Sequence, residues 1–127
     1  MDPSEIDRLA RAWIDIAEQL IKHQNEPDYF KQIPPHPIDE MIYRAPETAW
    51  LIIDSARHMT NDEIVLATLA AGPLEYLLAK HGEKFIDRFE ELAKTDKEFS
   101  DLMAGVLTRK NMSPNLVARI KAISKAT

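Results

Sequence analysis

All-α is the fold class that this 127-residue sequence predicts. No run alternates apolar and polar residues over the length of a strand, whereas apolar residues recur at helical spacing in segment after segment. Five of the eight prolines, Pro3, Pro37, Pro46, Pro73 and Pro114, fall where such a segment begins. There the missing amide donor does no harm. The expectation is a single compact domain, residues 1–127, of about seven or eight short helices stacked as antiparallel hairpins, HEAT-like or an irregular bundle. The length allows a self-sufficient core, because a chain of this size buries roughly 65–70% of the surface it exposes unfolded. No repeat of fixed period is visible.

The opening helix, residues 1–23, is announced by Asp2-Pro3-Ser4-Glu5, an N-cap, a proline at N1 and a glutamate at N3. Ile6, Leu9, Ala10, Trp13, Ile16, Ala17, Leu20 and Ile21 form its core stripe, and Glu18 and Lys22 are spaced to pair outside. Residues 24–37 carry four prolines and read as a strap pinned by Tyr29, Phe30 and Ile33. Its functional alternative is a polyproline-type recognition segment. The helical body then runs over 38–127. A short helix from Pro37 to Arg44 turns Ile38, Met41 and Ile42 inward, and Pro46 opens a centrally buried helix with the run Ala49–Ile53. Thr60-Asn61-Asp62-Glu63 reads as a capping box for a helix through Ala71. Gly72 ends that helix in a left-handed C′ position and Pro73 starts the next, which stops at His81-Gly82. Phe85, Ile86, Phe89, Leu92 and Ala93 mark a further helix. Asp96 caps another that holds Phe99, Leu102, Met103, Val106 and Leu107, with Gly105 inside it. Ser113-Pro114 opens the last helix.

Composition excludes several function classes. Without cysteine there are no disulfides, thiolate metal sites, iron–sulfur clusters or cysteine nucleophiles. The acidic start lacks the basic and apolar regions of a secretory signal. No apolar stretch approaches the roughly 18 residues that span a bilayer. A cytoplasmic protein is expected. The net charge of −5 is unevenly placed: all 21 acids lie between Asp2 and Asp101, and residues 108–127 hold five cations and no acid. The preceding body therefore carries −10. Such a body repels phosphate backbones, which disfavours nucleic acid, and attracts basic protein surfaces. The basic tail (Arg109, Lys110, Arg119, Lys121, Lys125) is a docking patch for an acidic partner or, more plainly, a last helix that complements the acidic body.

The stretch Ala70-Ala71-Gly72-Pro73-Leu74-Glu75-Tyr76-Leu77-Leu78, followed by His81-Gly82, resembles the signature A-A-G-P-L-E-x-L-L-x-x-H-G of an uncharacterised family of bacterial, all-helical domains of unknown function. The similarity extends over roughly residues 46–125, through Pro46-Glu47-Thr48-Ala49-Trp50 upstream and the Ser113-Pro114 helix downstream. Tyr76 stands where the family pattern is commonly acidic, so paired carboxylates are not implied there. The resemblance implies an all-helical fold and no particular activity.

Four residues are candidates for partner or ligand binding. Asp54 and His58 are four apart and share a helix face, where a carboxylate can orient an imidazole. Asp62 and Glu63 lie just beyond the turn. The plain alternative is a capping pair near a helix C-terminus. Glu75 falls in a first turn and His81 in a last turn, about 120° apart around the helix, so they cannot form a dyad along one face. His23 and His36 flank the strap and are expected in solvent. No G-x-S-x-G elbow, glycine-rich phosphate loop or H-E-x-x-H motif is present. No catalytic residue, metal or cofactor is implied.

Three functions remain. The leading one is a non-catalytic protein-interaction domain, in one version an immunity- or antitoxin-like protein covering a basic toxin or effector surface. The second is a small enzyme or ligand-binding domain with a pocket near Asp54, His58, Glu75 and His81. The third is a homo-oligomeric scaffold, for which Trp13, Ile14 and Leu51 supply spare apolar surface.

Overall fold

Asp2 opens helix α1 (Pro3–Lys22) as its sequence demands: the carboxylate accepts from the Glu5 amide at 2.9 Å and from the Ser4 hydroxyl at 2.6 Å. These two donors, the hydroxyl first, hold the Asp2 carboxyl below its ordinary value. The computed structural model describes residues 1–125. Among them are seven α-helices, a 3₁₀ turn and one π-helical segment, with no strand. The all-α expectation holds. No helix among the described residues is long and apolar enough to cross a membrane. Contacts divide the chain into two units, Met1–Thr68 and the part from Leu69 onward.

In the first unit α1 buries Ile6, Leu9, Ala10, Trp13, Ile14 and Ala17 and packs on α3 (Pro46–Met59). Burial stops at Ala17. Ile16 and Ile21 are half-buried and Leu20 is exposed, so the predicted stripe is one turn too long. The strap forms a 3₁₀ turn at Tyr29–Gln32 and then an irregular stretch. Tyr29 and Ile33 are half-buried, but Phe30 is 61% exposed and pins nothing. His36 is half-buried rather than solvated. Helix α2 (Ile38–Arg44) buries Ile38 and Ile42 against α3. In α3, Ala49, Trp50, Ile52 and Ile53 are buried while Leu51 is 47% exposed, so the apolar run is not buried all round. Helix α4 (Glu63–Leu69) starts two residues later than the expected Thr60 cap implies. Asp62, not Thr60, accepts from the Ile64 and Val65 amides, and Thr60 instead accepts from the Asp62 amide.

In the second unit the largest departure lies at Gly72-Pro73. No described glycine has positive φ, and the chain stays helical through a π segment, Ala70–Leu74, into α5 (Glu75–Thr95). The Glu75 amide reaches back five residues to the Ala70 carbonyl. An α-turn would press the Pro73 ring into a preceding carbonyl, and the wider π turn makes room for it. At His81-Gly82 the helix does not end but kinks, with His81 at φ −134° and ψ 26°. Gly82 is buried, and the Leu116 side chain of α7 (Pro114–Lys125) occupies the space its Cβ would need. A close approach, not a left-handed cap, explains this glycine.

Phe85, Phe89 and Phe99 form the aromatic centre of this unit, with centroids 5.6 and 5.1 Å apart in sequence order. Helix α6 (Lys97–Met103) is capped by Asp96, as predicted. It ends before Gly105, which lies outside the helix. A Cβ there would meet the Ala70 Cβ at 2.9 Å. Leu107 is 64% exposed, so the helix expected through it is not formed. Ser113 caps α7 by accepting from the Leu116 amide. Arg119 then ties α7 to α5 through Asp87 and Glu90, and Arg109 pairs with Glu75. Two cations of the basic tail thus neutralise acids of their own unit. The Lys125 side chain lies outside the described residues.

Candidate functional site

An open cleft of about 390 Å³ lies in the first unit, lined by the last turns of α1 and the start of α4. Asp15, Glu18 and Asp62 supply three carboxylates, Lys22 one cation, and Ile21 and Val65 an apolar contribution. Asp15 and Glu18 project from one face of α1 because they are three residues apart. Neither has a hydrogen bond or ion pair among the described residues. Glu18 and Lys22 both line the cleft and do not form the expected pair. Asp62 caps α4 through one carboxylate oxygen, Oδ1.

Several other acids are balanced locally, in both units. Glu5 meets Arg8, Asp28 meets Lys31, Glu40 meets Arg44, Glu91 meets Lys94 and Asp101 meets Lys97. Asp15 and Glu18 are thus two of the first unit's acids without an ion-pair partner; Asp2 and Asp7, which meet only hydroxyl or amide donors, lie outside the cleft. Sequence reading missed it. The signal present was only the Asp15–Glu18 spacing, and nothing in the pattern brings Asp62 to the same place.

Asp54 and His58 do not form the predicted carboxylate–imidazole pair. The His58 Nδ1 donates to the Asp54 backbone carbonyl at 2.7 Å, and the Asp54 carboxylate accepts from Arg57 Nε at 2.7 Å. Arg57 is buried, so its charge requires that partner. His58 thus bonds to the main chain of its own helix near the end of α3. Asp54 and His58 belong to the first unit and Glu75 and His81 to the second. No group of three or more His, Asp or Glu side chains among the described residues is placed to hold a metal ion.

Glu75 is buried, with 5% of its side chain exposed. One oxygen accepts from the Leu107 amide at 3.1 Å and the other from Arg109 Nε at 2.5 Å. Arg109 in turn lies over the Tyr76 ring, 4.4 Å from its centroid. Glu75, before anything else, raises the Arg109 pKa above its ordinary value. Glu75 and Tyr76 thus anchor the irregular segment between α6 and α7. His81 marks the kink. Arg109 was not legible as the partner of Glu75, since 34 residues separate the ion pair and no periodicity connects them.

These features define an all-helical protein in which the buried Glu75 holds a long connection in place. The chain belongs to a Family of unknown function (DUF6869), matched over residues 23–127. The match begins 23 residues before the expected boundary at 46 and takes in the strap and α2. No curated protein and no solved structure matches the chain.

Proposed function

We propose that this chain is a non-catalytic protein-interaction domain that docks on a basic partner surface, in the manner of an immunity or antitoxin-like protein. The observation that supports the reading is the cleft lined by Asp15, Glu18 and Asp62, where Asp15 and Glu18 have no ion-pair partner and the half-buried Ile21 adds apolar surface. Exposed charges that already have partners gain little from a new one. Unpaired carboxylates beside apolar surface favour an incoming lysine or arginine, whose stem packs while its head pairs. The −10 body adds long-range attraction.

A fluorescently labelled arginine-rich peptide provides the test. Asp15→Asn/Glu18→Gln should weaken its binding about tenfold, roughly 0.7 kcal/mol for each charge removed. Glu5→Gln/Glu40→Gln changes the net charge equally at paired sites and should weaken it less. Equal losses in the two variants would show that only overall charge matters and remove the cleft from the proposal.

The scaffold reading loses part of its basis. Trp13 is 8% and Ile14 1% exposed, so neither is spare surface.

A further inference from the structure

The strap between α1 and α2 has fixed ends and an apolar middle that faces solvent. At its entry His23 stacks on Tyr29, with centroids 3.9 Å apart, and pairs with Glu26. At its exit His36 uses both ring nitrogens. Nε2 donates to the Leu9 carbonyl at 2.8 Å, and Nδ1 accepts from the Ile38 amide at 3.0 Å. A carbonyl only accepts and an amide only donates, so one tautomer serves both bonds. Between these pins Pro34, Pro35 and Pro37 are exposed, and Phe30 is 61% exposed just before them.

Local chemistry sets the backbone of this stretch. Proline holds φ near −65°, and a residue before proline is driven to extended geometry. Ile33 lies at φ −85° and ψ 128°, and Pro37 has φ −70°. The polyproline II helix has three residues per turn. Pro34 and Pro37 therefore share one edge, as a P-x-x-P pair, with Lys31 in the 3₁₀ turn just before them. Three prolines remove three amide donors, so this segment is unsuited to adding as a strand to a sheet edge. What it offers is ring faces and carbonyl oxygens. Aromatic side chains that also carry a donor, such as Trp and Tyr, match that offer. With both ends already fixed, little ordering entropy remains to be lost on binding.

We propose that residues 33–37 are a docking segment for an aromatic-lined groove of a partner protein, of the kind that accepts P-x-x-P sequences. Pro34 and Pro37 stack in the groove, and Phe30 covers its rim. The segment shares no residue with the acidic cleft, so the two readings stand or fall separately.

The experiment titrates the ¹⁵N-labelled full chain with three purified aromatic-groove domains, one each of the SH3, WW and EVH1 types. At least one should shift amides at residues 29–38 and leave the rest unmoved. Pro34→Ala should weaken that binding about tenfold, and Phe30→Ala about threefold, while the remaining spectrum shows the fold intact. Absence of shifts with all three domains overturns the proposal. So does binding that neither substitution weakens.

Discussion

A carboxylate with 5% of its side chain exposed needs both oxygens occupied, and Glu75 has them occupied by Leu107 and Arg109. Removing it would leave a part-buried amide and a half-exposed guanidinium without their acceptor. Arg109 keeps 38% of its side chain in solvent, which lowers the penalty below that of a fully buried pair. Glu75→Ala should therefore destabilise the protein by about 2–3 kcal/mol, and Glu75→Gln, which keeps an acceptor for the Leu107 amide, by about 1 kcal/mol. Urea denaturation measures both. A loss below about 0.5 kcal/mol for the alanine variant would deny Glu75 its anchoring role. The sequence placed Glu75 in a first turn, where helix amides could have satisfied it, and that local rule was the wrong one. Its partners come from a connection that has no periodicity to read. The Asp54–His58 spacing was read correctly as one face, yet a helix face offers backbone carbonyls as well as side chains, and His58 took the carbonyl.

Helix starts were legible because each depends on a few adjacent residues. Asp2, Asp96 and Ser113 cap as their positions predict, and α3 spans Pro46–Met59 as the sequence suggests. Helix ends were harder. Gly72-Pro73 breaks most helices, but a π turn relieves the proline clash while Glu75 keeps an acceptor in the Ala70 carbonyl. Whether a chain breaks or widens there depends on what the neighbouring turns bury, and no local motif reports that. The same limit applies to the docking of α7 on α5. Arg119 bonds to Asp87 and Glu90, and the bond to Arg119 is the first cause that holds the Glu90 carboxyl below its ordinary 4.5. A depressed carboxyl contributes stability above its unfolded pKa, and that contribution disappears as pH falls through the lower, folded value. The second unit should therefore lose stability below about pH 4.5, with Asp2 contributing a separate acid-side loss in the first. Glu90→Gln should be less stable than the parent at pH 7 and show a shallower decline between pH 5 and 3. Parallel acid limbs in thermal melts of the two proteins would contradict this account.

At the scale of the whole chain, the separation of a −10 body from a +5 tail was plain in the sequence, but its meaning was not. Pairing of Arg109 and Arg119 within their own unit spends part of the tail on structure, and only three-dimensional proximity could show which acids stay uncompensated. The family match raises a related question of extent. It starts at residue 23, yet α1 before it buries Ile6, Leu9, Trp13 and Ile14 and packs on α3. Burial of four large apolar side chains contributes about 8 kcal/mol at roughly 2 kcal/mol each. A whole domain has a net stability of only about 5–15 kcal/mol. A chain that begins at residue 23 should therefore fail to hold its first unit together, even though it contains all of the matched family region. Its helical circular dichroism should fall by more than the loss of the 20 residues of α1 accounts for. It should also bind a hydrophobic dye and be cleaved rapidly within α2 and α3. Adding α1 back as a separate peptide should reverse these changes, since the contacts are between helix faces and need no covalent link. A truncated chain with undiminished helicity in its remaining residues and no dye binding would show that α1 is an accessory to the fold rather than part of its core.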